Sequence, residues 1–130
     1  MSSTAHETVA QRARRVLGEE ELARAGALRA DILQYEMDAW VLGIALERSR
    51  DLAKAKQGSP TSASEFKLFG TELGKRRAEL VMAVDGAAGL DAATPAALDW
   101  LRAPIGTIAG GSNEIQLNII AKRALGLPGA

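Results

Sequence analysis

The sequence predicts an all-α fold, an antiparallel up-and-down four-helix bundle with a short extra helix at the N-terminus. Apolar residues recur at helical spacing in several segments, and no segment shows the sustained apolar/polar alternation that is typical of strands. Glycine and proline separate these segments by short connections. Amphipathic helices joined in this way pack antiparallel, so we expect a core of Leu, Ile, Val, Phe and Ala side chains.

The first predicted helix is short and basic, covering residues 5–17, with Ser3 or Thr4 available as its N-cap. The longest predicted helix runs from Glu19 to about Gln57, because this segment contains no proline. Several of its apolar residues share one helical face and are predicted to be buried. They are Leu33, Met37, Trp40 and Ile44.

The next predicted helix follows a turn that contains Gly58 and Pro60. Ser62 and Glu65 have the spacing of a capping box, which predicts the start of this helix. One helical face is apolar and is expected to be buried, while the charges of residues 74–77 (GKRR) mostly face water. That face consists of Phe66, Phe69, Leu73, Leu80 and Val84.

A shorter helix is predicted after the glycine-rich residues 85–89. Thr94 is a good N-cap and Pro95 suits the first helical position. We expect Leu98 and Leu101 to point into the core, and we expect Pro104 to kink or interrupt the helix.

The last predicted helix has clear signals at both ends. Ser112 is a good N-cap because its hydroxyl can accept from a first-turn amide, and Glu114 places a negative charge near the positive end of the helix dipole. Gly126 suits the left-handed position after the helix, and Pro128 prevents its continuation.

Two consecutive glycines, Gly110 and Gly111, precede this helix. Glycine allows the backbone to approach another group closely, and the free amides of a helix N-terminus favour an anion such as a phosphate. A flexible turn with no ligand is the alternative interpretation of the same pair.

Composition and charge exclude several classes of function. The 130 residues suit one domain, and 16 basic residues balance 16 acidic ones, so no net field favours nucleic acid or an anionic membrane. With no cysteine and a single histidine, His6, neither a disulfide framework nor a metal site is predicted. No apolar run is long enough to span a membrane and no secretory signal is recognisable, so we expect a cytoplasmic protein.

Three stretches, in order, resemble the acyl-CoA dehydrogenase family over roughly residues 20–128. TIAGGSNEIQLNIIAKRALGLP closely resembles its C-terminal signature, commonly T-I-Y-G-G-T-S-E-I-Q-R-N-I-I-A-E-R-V-L-G-L-P. SASEFKLFGTELGKRRAEL resembles its K-L-x-x-S-E-L-x-Q-R-x-A-E-L helix, and VDGAAGL resembles its glycine loop.

This resemblance implies a fold, a cofactor and partners. Such proteins have an N-terminal helical domain, a central β-domain and a C-terminal four-helix bundle, and they use FAD to introduce an α,β double bond into an acyl-CoA thioester. Only the last bundle is matched, and the family's two flavin-contacting loops meet FAD across a subunit interface. The implied partner is therefore another copy of this chain or a complementary acyl-CoA dehydrogenase subunit. The implied cofactor-binding residues are Ala83, Val84, Asp85, Gly86, Ala87, Gly110, Gly111, Ser112, Asn113 and Glu114.

The resemblance supplies no catalytic residue. In one branch of the family the position of Gly110 is the glutamate that removes the α-proton, and Gly110 has no side chain for that step. Other branches place the base on the long helix that opens the bundle, of which this chain retains the end. Ala109 and Pro104 replace a tyrosine and an arginine that are common in the pattern.

The resemblance divides the chain into residues 1–18, a remnant of the bundle's first helix, and residues 19–130, the bundle itself. Three functions stay open at this point. The chain is the C-terminal domain or subunit of an FAD-dependent acyl-CoA dehydrogenase and is inactive alone, or it is a catalytically silent helical interaction module. The third alternative is part of a flavin-dependent monooxygenase on the same fold. The apolar faces of the predicted helices indicate that this chain self-associates.

Overall fold

The computed structural model describes residues 7–128, and within that range the chain is helical and contains no strand, as predicted. The helices are α1 (Val9–Arg24), α2 (Gly26–Lys54), α3 (Ser62–Asp85), α4 (Pro95–Arg102), α5 (Ile105–Ile108) and α6 (Asn113–Arg123). A 3-10 helix, Gly86–Leu90, follows α3 directly.

Helix α1 begins with a capping box formed by Thr8 and Gln11, which are not the residues that we predicted as caps. Thr8 Oγ1 accepts a hydrogen bond from the amide of Gln11 at 3.1 Å, and Gln11 Oε1 accepts one from the amide of Thr8 at 2.9 Å. This reciprocal pair satisfies two amides of the first turn and fixes the helix start at Val9. The predicted caps, Ser3 and Thr4, lie outside the described residues.

The division between the first two helices differs from the prediction. Helix α1 continues to Arg24 through a kink at Gly18, whose φ of 78° and ψ of 164° are not helical. A break at Ala25 then separates it from α2, which starts at Gly26 rather than at Glu19. Glycine reaches a positive φ at little cost, so Gly18 bends the chain where we had predicted the start of the long helix.

Helix α3 lies at the centre of the bundle and packs against every other helix. Its buried side chains include Leu80, Val81 and Val84, and α1 contributes Val9 and Ala13, of which Ala13 is 0% exposed. The predicted burial of Leu80 and Val84 is therefore correct, whereas Phe69 on the same predicted face is 45% exposed and Phe66 and Leu73 are half-buried. The complete core cluster consists of Val9, Ala13, Ile32, Tyr35, Leu80, Val81, Val84 and Ala96.

The apolar face that we predicted to be buried on α2 is exposed instead. Trp40, expected in the core, is 70% exposed, and Met37 is 61% exposed. Helix α2 buries Ile32 and Tyr35 against its neighbours, so it carries two apolar faces and the spacing alone does not tell which one faces the core. We call the exposed face the α2 stripe; it consists of Leu33, Met37, Trp40, Val41 and Ile44.

Helix α4 also packs through different residues from those predicted. Leu98 and Leu101 are 38% and 58% exposed, whereas Ala96 and Ala97 are buried. Small side chains allow the short α4 to lie close to α3, which turns the bulky leucines outward. Pro104 separates α4 from α5, so the predicted interruption is confirmed.

At the starts of α3 and α4, one of the two predicted capping interactions is found in the structure. At the start of α3 the predicted pairing of Ser62 with Glu65 is wrong: Thr61 Oγ1 donates to Glu65 Oε1 at 2.6 Å, and the Ser62 hydroxyl donates to the carbonyl of Ser59. At α4 the prediction is confirmed, because Thr94 Oγ1 accepts from the amide of Ala97 at 3.2 Å.

An ion pair joins the start of α1 to the end of α3. Arg12 Nε and Nη2 donate to the two carboxylate oxygens of Asp85 at 2.7 and 2.5 Å. The Asp85 side chain is only 10% exposed, and this hydrogen bonding raises the pKa of Arg12. A bidentate arginine pair is among the stronger polar contacts in proteins, so it holds the two helix ends together.

We expect Arg12→Met to lower the free energy of unfolding by about 1–3 kcal/mol, because the largely buried Asp85 would lose two charge-assisted hydrogen bonds. Urea denaturation followed by circular dichroism measures the change. Arg15→Met is the matched control, since Arg15 on the same helix pairs with the more exposed Glu7. A loss for Arg12→Met no larger than that for Arg15→Met would contradict this assignment.

The buried Tyr35 hydroxyl should make the free energy of unfolding depend on pH in the alkaline range. Burial raises the pKa of its hydroxyl above the ordinary value of 10.0, so the folded state favours the neutral phenol. Its contribution to stability is complete below the unfolded pKa and is lost as the pH rises through the folded pKa. We expect Tyr35→Phe to make the fall in stability above about pH 10 shallower, as measured by urea midpoints at several pH values. Equal slopes for the two proteins would refute the prediction.

Candidate functional site

A turn of two glycines joins α5 to α6 and holds residues that the sequence predicts to face a cofactor. Gly110 and Gly111 have φ of 71° and 97°, a region that side chains rarely adopt. The φ of 97° strains any side chain at Gly111, and a Cβ there would lie 2.9 Å from Nε2 of Gln116, whose side chain would have to shift. A Cβ at Gly110 would meet no atom within 4 Å. The inner side of the turn is therefore closely packed and its outer side is open.

Gln116 closes the inner side of the turn. Its side chain is buried, with a residue exposure of 7%, and its Nε2 lies 3.3 Å from the carbonyl oxygen of Gly110 and 3.5 Å from that of Gly111. These contacts give the two turn carbonyls a hydrogen-bond donor, so the turn has a defined shape.

Asn113, the first residue of α6, is buried in a polar cluster against α3. Its Oδ1 accepts from Lys67 Nζ at 2.8 Å and lies 3.1 Å from Thr71 Oγ1, while its Nδ2 donates to Glu72 Oε1 at 2.6 Å. All the hydrogen-bonding groups of the Asn113 side chain therefore contact α3, which makes this side chain an anchor for α6. A ligand can reach only the outer side of the turn, not the Asn113 amide.

Lys67 contacts the chain on both sides of the glycine turn. Besides Asn113, its ammonium donates to the carbonyl oxygen of Thr107 in α5 at 3.3 Å. One cation on α3 thus links the residue groups that precede and follow Gly110 and Gly111.

Ser112 occupies the N-cap position of α6 but does not cap it as predicted. Its backbone is extended, and its side chain accepts no hydrogen bond from an α6 amide. Hydrogen bonding by the Ser112 side chain, together with that by Glu114's own amide, lowers the pKa of Glu114. The N-terminus of α6 therefore already carries a negative charge, which opposes the binding of a phosphate there.

The second predicted group, Ala83 to Ala87, surrounds the end of α3. Val84 is a core residue, 2% exposed, and the carboxylate of Asp85 is held by Arg12. Ala83, Gly86 and Ala87 are exposed, so the surface of this group consists of backbone and methyl groups. A cavity of about 290 Å³ lies beside it and is lined by Arg12, Arg77, Val81, Asp85, Ala88, Thr94, Pro95, Ala96 and Asp99.

The structure does not bring the two predicted groups together within one chain. Asn113 contacts Glu72 in the middle of α3, whereas Asp85 is the last residue of that helix. Asp85 lies 13 positions after Glu72, which corresponds to about 20 Å along a helix axis. A single ligand that touches both groups of one chain would have to be elongated, or the two groups would have to serve different copies.

Three residues that shape these sites were not identified from the sequence. Arg12 lies in the basic first helix and Lys67 lies between apolar residues of α3, and each finds its partner on a distant helix. Gln116 follows the glycine pair closely enough that its contact with the turn could have been anticipated. Among residues 7–128 no group of His, Asp and Glu side chains is suited to hold a metal ion, and no helix has the length and apolarity to cross a bilayer.

Comparison with known proteins gives a consistent match. Residues 1–125 match the family model described as acyl-CoA dehydrogenase, C-terminal domain. The acyl-CoA dehydrogenase IpdE1 of Mycolicibacterium smegmatis is 36% identical over 113 residues, which cover 83% of this chain and 29% of the relative. The acyl-CoA dehydrogenase FadE34 of Mycobacterium tuberculosis is 32% identical over 136 aligned positions, covering 98% of this chain and 19% of the relative.

A solved structure shares the fold. The ChsE4–ChsE5 complex from Mycobacterium tuberculosis contains a chain that superposes with a TM-score of 0.71 at 32% identity, covering 95% of this chain and 34% of that one. The protein thus spans about a fifth to a third of the length of the relatives it matches. Since the family model covers nearly all of its residues, the chain belongs to the acyl-CoA dehydrogenase family and corresponds to its C-terminal helical domain.

Proposed function

We propose that this chain supplies the C-terminal bundle of an FAD-dependent acyl-CoA dehydrogenase, an enzyme that introduces an α,β double bond into an acyl-CoA thioester. The observation that carries the proposal is the shaped turn at Gly110 and Gly111, which lies in the segment that matches the family and keeps an open outer side. The chain contributes contacts to the flavin and packing surface to the assembly. A cytoplasmic location stays a prediction.

The residues present fit one side of a flavin site. Gly110 presents backbone and open space where a side chain would stand, and Ala109 beside it is exposed, so a planar ring can approach closely. The charge of Glu114 favours the uncharged part of the cofactor at this turn rather than its phosphates. When bound, FAD supplies the two-electron redox chemistry, and the chain's own residues position it and exclude water.

We propose that the glycine turn supplies no base for such a reaction. Gly110 has no side chain, and the lowered pKa of Glu114 makes its carboxylate a weaker proton acceptor than an ordinary glutamate. Asn113 is fully engaged with α3. We therefore propose that the α-proton is removed by a residue from another domain or subunit, and that the isolated chain is inactive.

The exposed apolar surface supports an assembly. The α2 stripe, Trp100 on α4, and Ile105 and Ile108 on α5 are all more than two-fifths exposed, which is unusual for a monomer of this size. We propose that another copy of this chain or a complementary acyl-CoA dehydrogenase subunit covers part of this surface. The ChsE4–ChsE5 complex shows that a similar chain is found in a complex.

The alternative is a helical interaction module without catalysis. Two observations favour it specifically: the usual base position is glycine, and the carboxylate of Asp85 in the second predicted group is held by Arg12 rather than being free for a ligand. In that case the shaped turn would be retained for packing alone.

For the isolated chain with added FAD, we expect a colourless peak in size-exclusion chromatography with visible absorbance, because only one side of the site is present. A stoichiometric yellow peak would overturn the proposal that the flavin site needs further domains.

A chimera tests the function itself. This chain would replace the matched region of the 36% identical IpdE1 of Mycolicibacterium smegmatis. We expect the chimera to retain FAD, and we expect Gly111→Ala to weaken that retention by about tenfold or more, since the strain and the 2.9 Å approach to Gln116 displace the turn. Gly126→Ala is the matched control, because Gly126 also has a positive φ but lies at the far end of α6.

A chimera that folds but binds no FAD, or one in which both glycine variants behave alike, would favour the interaction module. Bleaching of the flavin by an acyl-CoA under anaerobic conditions would distinguish an active dehydrogenase from a flavin-binding protein without that activity.

A further inference from the structure

We propose that Lys67 is a positioning residue that sets the shape of the glycine turn from both sides. The inference rests on the proposed function only where it concerns the flavin. No other ammonium or guanidinium group in residues 7–128 hydrogen-bonds to both α5 and α6. The Lys67 ammonium lies between the carbonyl of Thr107 and the side chain of Asn113 and donates a hydrogen bond to each.

Only a short segment of chain separates these two contacts. Five residues, 108–112, separate Thr107 from Asn113, and two of them are glycines with positive φ. Glycine loses more conformational freedom on ordering than any other residue, so this turn needs contacts that hold it. The turn itself is too short to supply many side chains for that purpose.

The contacts come from the two ends. Lys67 Nζ lies 3.3 Å from the carbonyl oxygen of Thr107 and 2.8 Å from Asn113 Oδ1, so the ends of the turn share one donor group. Asn113 is 7% exposed and half of its acceptor capacity is used by this ammonium. Removal of Lys67 would leave a buried oxygen with only the Thr71 hydroxyl nearby.

The remaining contacts of the turn do not connect α5 to α6. Glu72 fixes the amide nitrogen of Asn113, and Gln116 fixes the carbonyls of the turn from within α6. Neither of them reaches α5. Lys67 alone among these groups relates the end of α5 to the start of α6, and thereby determines where the open side of Gly110 lies relative to α3.

Amide hydrogen exchange on the full-length chain tests this role. The amides of Ala109 and Gln116 bracket the turn, since Ala109 donates to Ile105 at 2.9 Å and Gln116 donates to Ser112 at 3.0 Å. We expect Lys67→Met to accelerate exchange at these two amides by about tenfold, the effect of losing one charge-assisted hydrogen bond. The amide of Ala25, bonded to Glu21 at the far side of the bundle, should not change.

Two further variants make the result specific. Arg76→Met removes a cation from the same helix whose partner, Asp38 at 3.3 Å, lies on α2, so we expect little change at Ala109 or Gln116. Lys67→Arg keeps a cationic donor and should restore most of the protection. Unchanged exchange in Lys67→Met, or equal acceleration at Ala25, would overturn the proposal.

The flavin is tested separately in the IpdE1 chimera. We expect Lys67→Met to raise the dissociation constant of FAD by about tenfold or more and to shift the visible flavin spectrum, while Arg76→Met leaves both unchanged. FAD binding by both variants at equal affinity would overturn the positioning role. A parent chimera that binds no FAD would instead contradict the proposed function, and the exchange experiment would still decide the role of Lys67.

Discussion

The rest of the structure depends on the burial of α3 by all of its neighbours. Each of the other helices contacts α3, and side chains near its C-terminal end, Leu80, Val81 and Val84, belong to one core cluster with Val9 and Ala13. Apolar burial is the main favourable contribution to folding. The short elements, α4 and α5, have few contacts beyond those with α3, so their positions follow from this helix.

Polar contacts on α3 then determine where the functional segments lie. At one end Asp85 binds Arg12 and places the glycine loop beside α1; in the first half of the helix Lys67, Thr71 and Glu72 bind Asn113 and place the start of α6. These contacts are partly buried, where hydrogen bonds to charged groups are stronger than at an open surface. The same helix therefore provides both the apolar core and the two polar anchors.

The sequence was sufficient for the fold class and for the signals that depend only on neighbouring residues. Thr94 with Pro95, the interruption at Pro104 and the left-handed Gly126 all belong to this group. Contacts between distant helices could not be predicted in this way. Trp40 is apolar and correctly spaced for burial, yet nothing in residues 7–128 covers its face, and periodicity cannot show which of two apolar faces is covered. The same holds for the candidate site. Gly110 and Gly111 could be identified from the sequence, whereas the role of Lys67 depends on the packing of α3 against α6 and could not.

The α2 stripe also affects how the stability of the isolated chain responds to temperature. Side chains such as Met37 and Trp40 are already in contact with water in the folded state, so unfolding exposes less new apolar surface than it would in a fully covered bundle. The heat capacity change of unfolding comes mainly from newly exposed apolar surface. The chain alone should therefore have a small heat capacity change for its length and a correspondingly flat stability curve. Covering the stripe in an assembly would make both the enthalpy and the free energy of unfolding more strongly dependent on temperature.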